Sequence, residues 1–319
     1  AGGDLFIASQ SGSVALTQSV TGNVIDVSAG GSILMQDATA GQLLSINATG
    51  GTVQGGSLIG SRIVINGDRG IGFTALNSGG TTNLTAANGA ILLPALSSVG
   101  AVTATGQSVN ITGGGALTFT DATATAGDLS LTAGTLNVTD AFARNSLSLT
   151  STGNLAAGAL DAGGDLFIAS QSGSVALTQS VTGNVIDVSA GGSIVMQDAT
   201  AGQLLSIDAT SGTAQGGSLI GGQIVVNGNQ GINFAAVSSS RTTNLTAANG
   251  AIMLPALSSV GAVTATGRSV TIAGTGALTF TNGTATAGDL SLSAGTLSIG
   301  DAFASNSLSL ISTGELTAG

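Results

Sequence analysis

The acidic side chains are the residues of this sequence with the most obvious chemical potential. The 319 residues include 15 Asp and Glu and no His. Two carboxylates beside a cation or a His can act as general acid and base in the cleavage of a glycosidic bond. Asp26, Asp37 and Asp68 are the candidates, but apolar segments separate them and no His or Lys lies near. We therefore interpret them as solvated turn residues and expect no catalytic site.

Calcium binding is the other chemistry that aspartate oxygens could support. Calcium-binding nonapeptide repeats place Gly-Gly-Xaa-Gly-Xaa-Asp in every turn. That pattern is absent, and Gly2-Gly3-Asp4 is an isolated Gly-Gly-Asp. We expect no cofactor and no metal site, with calcium kept as the one alternative.

The composition restricts the class of protein that must position these residues. Hydrophobic residues make up 42% of the chain, charged residues only 6%, and Cys is absent. A disordered chain needs low hydrophobicity and high charge, so an ordered fold with a thin core is expected. The five cations are all Arg and form no cluster, which argues against nucleic-acid binding. No apolar run approaches the ~20 residues that span a bilayer, so membrane insertion is not expected.

A long internal repeat organises the chain. The heptapeptide Ala1–Ile7 returns as Ala162–Ile168, and the same offset holds without a gap to the end, where Gly158 corresponds to Gly319. The sequence therefore predicts two copies of one module, residues 1–161 and 162–319, in a continuous rod with no linker. Asp68 becomes Asn229 in the second copy, which further weakens a catalytic interpretation.

A shorter period lies inside each module. One set of apolar positions recurs at nearly constant steps, with one longer step between Leu84 and Ile111. The set is Ile7, Val27, Ile46, Ile65, Leu84, Ile111, Leu131, Leu149 and Ile168. Two residues before each member stands a further apolar residue, with Thr82 as the polar exception. Apolar residues at i and i+2 indicate a strand with one buried face.

Two further sets complete each period. The second reads Val14/Leu16, Ile33/Met35, Ile71/Phe73, Ile91/Leu93, Leu117/Phe119 and Leu136/Val138, and the weaker third reads Val20, Leu58, Leu76, Leu96, Phe142 and Leu160. Two clear short strands and a third short apolar segment per period predict an all-β fold, a right-handed parallel β-helix (β-solenoid) with about 19–20 residues per coil. In the longer step from Leu84 to Ile111, the extra residues around 101–107 are expected to form a protruding loop or an added short strand.

Three short segments carry a family resemblance. Gly3-Asp4-Leu5-Phe6-Ile7, Gly127-Asp128-Leu129-Ser130-Leu131 and Gly288-Asp289-Leu290-Ser291-Leu292 share a Gly-Asp-Leu-Xaa-Ile/Leu pattern. The pattern resembles the haemagglutinin-type repeats of filamentous-haemagglutinin-like exoproteins, which are large surface adhesins exported by two-partner secretion. This resemblance implies a three-sided β-helix in the shaft of a long fibre, secreted to the surface of a Gram-negative bacterium.

Exposed apolar residues are the remaining candidates for function. Residues between inward pairs should point outward, and large apolar ones can mark an interface. The candidate lateral interface comprises Phe6, Leu34, Leu92, Phe167, Val195 and Met253. The expected partners are neighbouring copies of the same module or chain, with host or bacterial surfaces reached through parts outside this chain.

Three functions are consistent with these features. The first is the non-catalytic structural shaft of a secreted or cell-surface adhesin. The second is a self-assembling extracellular filament, sheath or matrix component. A polysaccharide-degrading β-helix enzyme is the third and least supported alternative.

Overall fold

The computed structural model describes residues 2–319, and this part of the chain consists of β-strands joined by turns, without a helix. The strands pair in parallel, and the predicted parallel β-solenoid is confirmed, with about 17 turns in all. The chain divides into two compact units. Unit 1 comprises residues up to Thr152 together with Asp161–Gly164, and unit 2 comprises Gly153–Leu160 and Asp165–Gly319.

The described residues form 31 strands. The first sixteen are β1 Leu5–Ser9, β2 Val14–Leu16, β3 Val20–Ala29, β4 Ile33–Met35, β5 Ala38–Ala48, β6 Thr52–Gly60, β7 Arg62–Gly67, β8 Gly70–Ser78, β9 Thr82–Leu93, β10 Leu96–Ser98, β11 Val102–Thr112, β12 Ala116–Ala124, β13 Leu129–Ala133, β14 Thr135–Ala143, β15 Leu147–Ser151 and β16 Leu155–Ala162. The remainder are β17 Leu166–Ser170, β18 Val175–Leu177, β19 Val181–Ala190, β20 Ile194–Met196, β21 Ala199–Ala209, β22 Thr213–Gly221, β23 Gln223–Gly228, β24 Gly231–Ser239, β25 Thr243–Ser259, β26 Ala262–Gly274, β27 Ala277–Ala285, β28 Leu290–Ala294, β29 Thr296–Ala304, β30 Leu308–Ser312 and β31 Leu316–Ala318.

In unit 1, inward residues of successive coils stack in three ladders. The first ladder runs through Leu5, Ile25, Leu44, Ile63, Thr82 and Val102. The second ladder runs through Val14, Ile33, Val53, Ile71, Ile91, Val109, Leu129 and Leu147. The third ladder runs through Val20, Ala38, Leu58, Leu76 and Leu96.

Unit 2 contains three ladders of its own, built largely from the equivalent residues of the second copy. Its first ladder runs through Leu166, Ile186, Leu205, Ile224, Thr243 and Val263. Its second runs through Leu155, Val175, Ile194, Ala214, Ile232, Ile252, Val270, Leu290 and Leu308. Its third runs through Val181, Ala199, Leu219, Val237 and Leu257. Equivalent residues of the two sequence copies therefore lie on equivalent ladders.

Stacked aliphatic side chains form the core of each unit. Ile25, Ile46 and Ile63 are completely buried in unit 1, as are Ile186, Ile207 and Ile224 in unit 2. Each buried aliphatic side chain contributes roughly 1.5–3 kcal/mol relative to an exposed one. Since each coil contacts only its neighbours, this stabilisation accumulates locally, coil by coil.

The long step between Leu84 and Ile111 is not a protruding loop. Residues 102–106 continue the first ladder, where Ala104 pairs with Leu84 of the preceding coil. Ile111 pairs instead with Leu93 of the second ladder. The alternative of an added strand is correct, but the prediction that Ile111 continues the first set is wrong. The coil length stays nearly constant. The long step arises because Leu84 lies on the first ladder and Ile111 lies on the second.

Phe142 is a second correction. The prediction placed it inward in the third set, but its side chain is 39% exposed. Ala141 and Ala143 occupy the inward positions on either side and are buried. Alternation along β14 then forces the intervening Phe142 outward, because successive side chains of a strand point to opposite faces.

Glycine at the corners allows successive coils to approach closely. A Cβ atom at Gly30 would collide with the carbonyl oxygen of Gln10 in the neighbouring coil. The amide of Gly30 donates to the carbonyl of Ser9 at 2.9 Å, so this corner is held by backbone hydrogen bonds. The high glycine content thus serves the close stacking of corners.

Candidate interaction surface

The candidate acidic residues serve mainly as corner acceptors. Ser57 donates its backbone N–H to Asp37 Oδ1 at 2.7 Å. Asn88 Nδ2 donates to Asp68 Oδ1 at 2.7 Å. Asp26 lies on the first ladder, paired with Phe6 in one neighbouring coil. Within residues 2–319, no three His, Cys, Asp or Glu residues are grouped closely enough to hold a metal ion.

The Gly-Asp-Leu motif has a defined structural use. Asp4 Oδ1 accepts the backbone N–H of Val24 at 3.2 Å, and Asp128 Oδ1 accepts that of Ser146 at 3.1 Å. Asp165 and Asp289 make equivalent bonds in unit 2. The acceptor lies one coil away from its donor, so the carboxylate satisfies an amide at the corner where ladder pairing is interrupted. The motif begins a first-ladder strand at Leu5 and a second-ladder strand at Leu129, so it marks a corner rather than one ladder.

A buried hydroxyl pair explains the polar exception in the apolar set. Thr82 is fully buried, and its Oγ1 lies 3.3 Å from Ser98 Oγ. Ser98 Oγ in turn lies 3.0 Å from the carbonyl oxygens of both Gly80 and Gly100. Thr243 and Ser259 repeat this pair at 3.3 Å in unit 2. A buried hydroxyl is tolerated here because each one has a hydrogen-bond partner.

The six candidate interface residues are all substantially exposed, with exposed fractions between 42% and 70%. They do not form one patch in either unit. Phe6 is on the first ladder, beside Asp26, whereas Leu34 and Leu92 are on the second. In unit 2, Phe167 is likewise beside Asp187, apart from the second-ladder residues Val195 and Met253.

The outward side chains of the second ladder form what we call the unit 1 column. In order along successive coils, it consists of Ala15, Leu34, Gln54, Gly72, Leu92 and Asn110. Leu34 and Leu92 are its large apolar members and are 56% and 54% exposed. None of the six residues carries a charge. The column therefore presents two apolar ribs separated by an amide and a glycine.

A groove of about 530 Å³ lies between these ribs. Leu34 and Leu92 line it together with Gly55, Gly72, Phe73 and Pro94. A Cβ atom at Gly72 would meet no atom within 4 Å, so the missing side chain leaves open space at the surface. At Gly55, a Cβ atom would collide with the carbonyl oxygen of Met35 and lie 3.0 Å from Phe73 Cε1, so glycine allows the coils to stack closely over the buried Phe73 ring.

The equivalent positions of unit 2 form what we call the unit 2 column. It consists of Ala176, Val195, Gln215, Asn233, Met253 and Thr271. The apolar ribs are retained as Val195 and Met253, but the exposed Asn233 stands where unit 1 has Gly72. An amide side chain therefore occupies the position that is open in unit 1.

Sequence reasoning identified the ribs but missed the groove. Its second set omitted Val53, because Gly55 replaces the usual apolar partner two residues later. The structure pairs Val53 with both Ile33 and Ile71, which places Gln54 and Gly72 between the ribs. The regular spacing from Ile33 through Val53 to Ile71 was the signal that could have located this row.

Comparisons with known proteins add no family assignment. No family model matches the chain, no curated protein is significantly similar to it, and no solved structure matches it. The resemblance to haemagglutinin-type repeats therefore stands on the short motifs alone. In residues 2–319, no helix has the length and apolarity needed to cross a membrane.

Proposed function

We propose that this chain is a non-catalytic structural shaft of a secreted or cell-surface fibre, of the adhesin class that its motifs resemble. The observation that carries the proposal is the use of its polar side chains. Asp4, Asp37 and Asp128 each accept a backbone N–H from the adjacent coil, so the carboxylates stabilise stacking. A shaft needs a self-supporting repeat in which each coil is the template for the next.

The finer features of this proposal come from the resemblance. They are a three-sided, right-handed cross-section and export to the surface of a Gram-negative bacterium. In this role the chain spaces a binding tip away from the cell, while recognition of host or bacterial surfaces belongs to other parts of the fibre. The low charge, 6% of residues, is consistent with a stalk that binds little along its length.

A second candidate is a self-assembling extracellular filament, sheath or matrix component. The exposed apolar residues favour it, because they recur at the same positions in both sequence copies. Phe6 and Phe167, Leu34 and Val195, and Leu92 and Met253 are three such exposed pairs. Apolar character retained at exposed positions is expected of a contact surface.

Electron microscopy of the purified chain separates the two candidates. A shaft predicts single extended particles at all concentrations, whereas a filament component predicts side-by-side bundles that grow with concentration. A compact particle would contradict both. A parallel screen for new reducing ends on neutral and acidic polysaccharides tests the non-catalytic assignment, and sustained release of sugars by the chain would overturn it.

A further inference from the structure

We propose that the groove of unit 1 is the docking site for the same face of a second copy of this chain. The inference deepens the filament candidate and rests on it. In the groove, a rib and a gap are direct neighbours, because Leu92 and Gly72 are paired residues in successive coils. A surface with a rib beside a gap is complementary to itself when one copy is inverted, as a two-fold interface requires.

The register of this pairing follows from the column. A two-fold axis parallel to the strands and midway between the rows of Gly72 and Leu92 inverts the order of the coils. Leu92 of each copy then enters the gap at Gly72 of the other. The same operation places Gln54 opposite Asn110, where two amide side chains can donate to and accept from each other. One apolar contact and one polar contact are thereby made twice.

The absence of charge on this face favours contact with an identical face. The chain has a formal net charge of −10, so two copies repel each other on average. The unit 1 column and the groove lining contain no ionisable residue. A charged partner has no complement on this face, whereas an identical uncharged face can pack against it as two β-sheets do, at about 10 Å.

The size of the face sets the expected strength. Six coils at about 4.8 Å, with about three residues per strand exposed, give roughly 300 Å² on each copy. A stable interface usually buries about 800 Å² per partner. The pairing is therefore expected to be weak for one face and concentration-dependent. It gains strength where a longer chain or a bundle presents several such faces together.

Unit 2 supplies the matched test. Asn233 shows that the second-ladder strand accepts Asn at this position, so Gly72→Asn should fold normally while filling the gap. Leu92→Met, which installs the unit 2 residue, is the control that keeps an apolar rib. Leu92→Glu removes the rib, and Asn233→Gly opens a corresponding gap beside Met253.

Sedimentation velocity over a concentration series, with circular dichroism melting as the folding control, measures the outcome. Wild type and Leu92→Met should associate, and added salt should strengthen association because it screens the net repulsion. Gly72→Asn and Leu92→Glu should weaken it by about tenfold or more, and Asn233→Gly should strengthen it.

The measurements distinguish failure of the docking site from failure of the filament candidate. If folded Gly72→Asn associates like the wild type, the docking site is wrong, although self-assembly through another face stands. If the wild type stays monomeric throughout the series, both the docking site and the filament candidate fail, and the shaft remains.

Discussion

The unit 1 and unit 2 columns are built on the same ladder but present different surfaces. Inward, Ile71 and Ile91 correspond to Ile232 and Ile252, and all four are buried. Outward, Gly72 of the open groove corresponds to the exposed Asn233. Stacking therefore constrains the inward residues, whereas the outward residue between them can change without altering the coil. The stacking of the coils and the chemistry of their outer surface can thus vary independently in this solenoid.

The largest effect is expected from a charge placed in the core of each copy. Ile46→Asp and Ile207→Asp alter equivalent, completely buried residues. Each should cost on the order of 4 kcal/mol, because an unpaired carboxylate is buried without compensation. Hydrogen exchange followed by mass spectrometry should show lost protection first in the altered coil and its neighbours. The two variants should therefore open different parts of the chain.

An outward substitution on the same strand is the control for this pair. Asn47→Asp adds the same carboxylate one residue away, on the face opposite Ile46, and installs the residue that unit 2 has as Asp208, so it should leave protection nearly unchanged. If Ile46→Asp instead reduced protection equally along all 319 residues, the coil-by-coil account of stability would be wrong.

Much of the fold is predictable from sequence because the inward residues obey a simple rule. Apolar pairs at i and i+2, such as Ile25 and Val27, are buried in the structure as the period requires. The ladder to which a pair belongs is less predictable. Val109 and Ile111 would look the same on either ladder, since their assignment depends on how many residues the preceding corners consume. Phe142 was misassigned because two small alanines fill the core instead.

The candidate surface is only partly predictable for a related reason. Alternation along a strand predicts that Leu34 and Leu92 point outward. The groove between them depends on register across four coils, since Gly55 and Gly72 are far apart in sequence from both ribs. A glycine adds no apolar residue to the periodic pattern, so the spacing of apolar residues alone does not reveal a groove at Gly72.

A medium effect is expected at the buried hydroxyl pair, where the two copies agree. Ser98→Ala removes a hydroxyl that contacts Thr82 and two carbonyl oxygens, and should cost about 2 kcal/mol. Ser259→Ala should cost the same in unit 2. Thr82→Val removes a hydroxyl that contacts Ser98 but neither of the two carbonyl oxygens, and it should cost about 1 kcal/mol. Urea unfolding followed by circular dichroism measures these differences.

The double variant tests the reason for these costs. Adding Thr82→Val to Ser98→Ala removes both hydroxyls of the pair, so the combined cost should be smaller than the sum of the single costs. Strict additivity would show that Thr82 and Ser98 do not stabilise each other, and the explanation for a polar residue in the first ladder would then fail.

The smallest effect is expected where the two copies already differ in charge. Asn88 donates to Asp68 at 2.7 Å in unit 1, and Asn249 donates to Asn229 at 2.8 Å in unit 2. The amide oxygen of Asn229 thus replaces a carboxylate oxygen as the acceptor, at nearly the same distance. Asp68→Asn and Asn229→Asp should each change the free energy of unfolding by no more than about 0.5 kcal/mol.

Removing the acceptor altogether separates the contribution of the hydrogen bond from that of the charge. Asp68→Ala leaves the Asn88 amide without its partner at the corner and should be more destabilising than Asp68→Asn, by about 1 kcal/mol. If Asp68→Asn were as damaging as Asp68→Ala, the charge itself would matter in unit 1 and the two corners would not be equivalent. Because the bond needs only an oxygen that accepts, the solenoid can exchange acid for amide at this corner while the coils remain stacked.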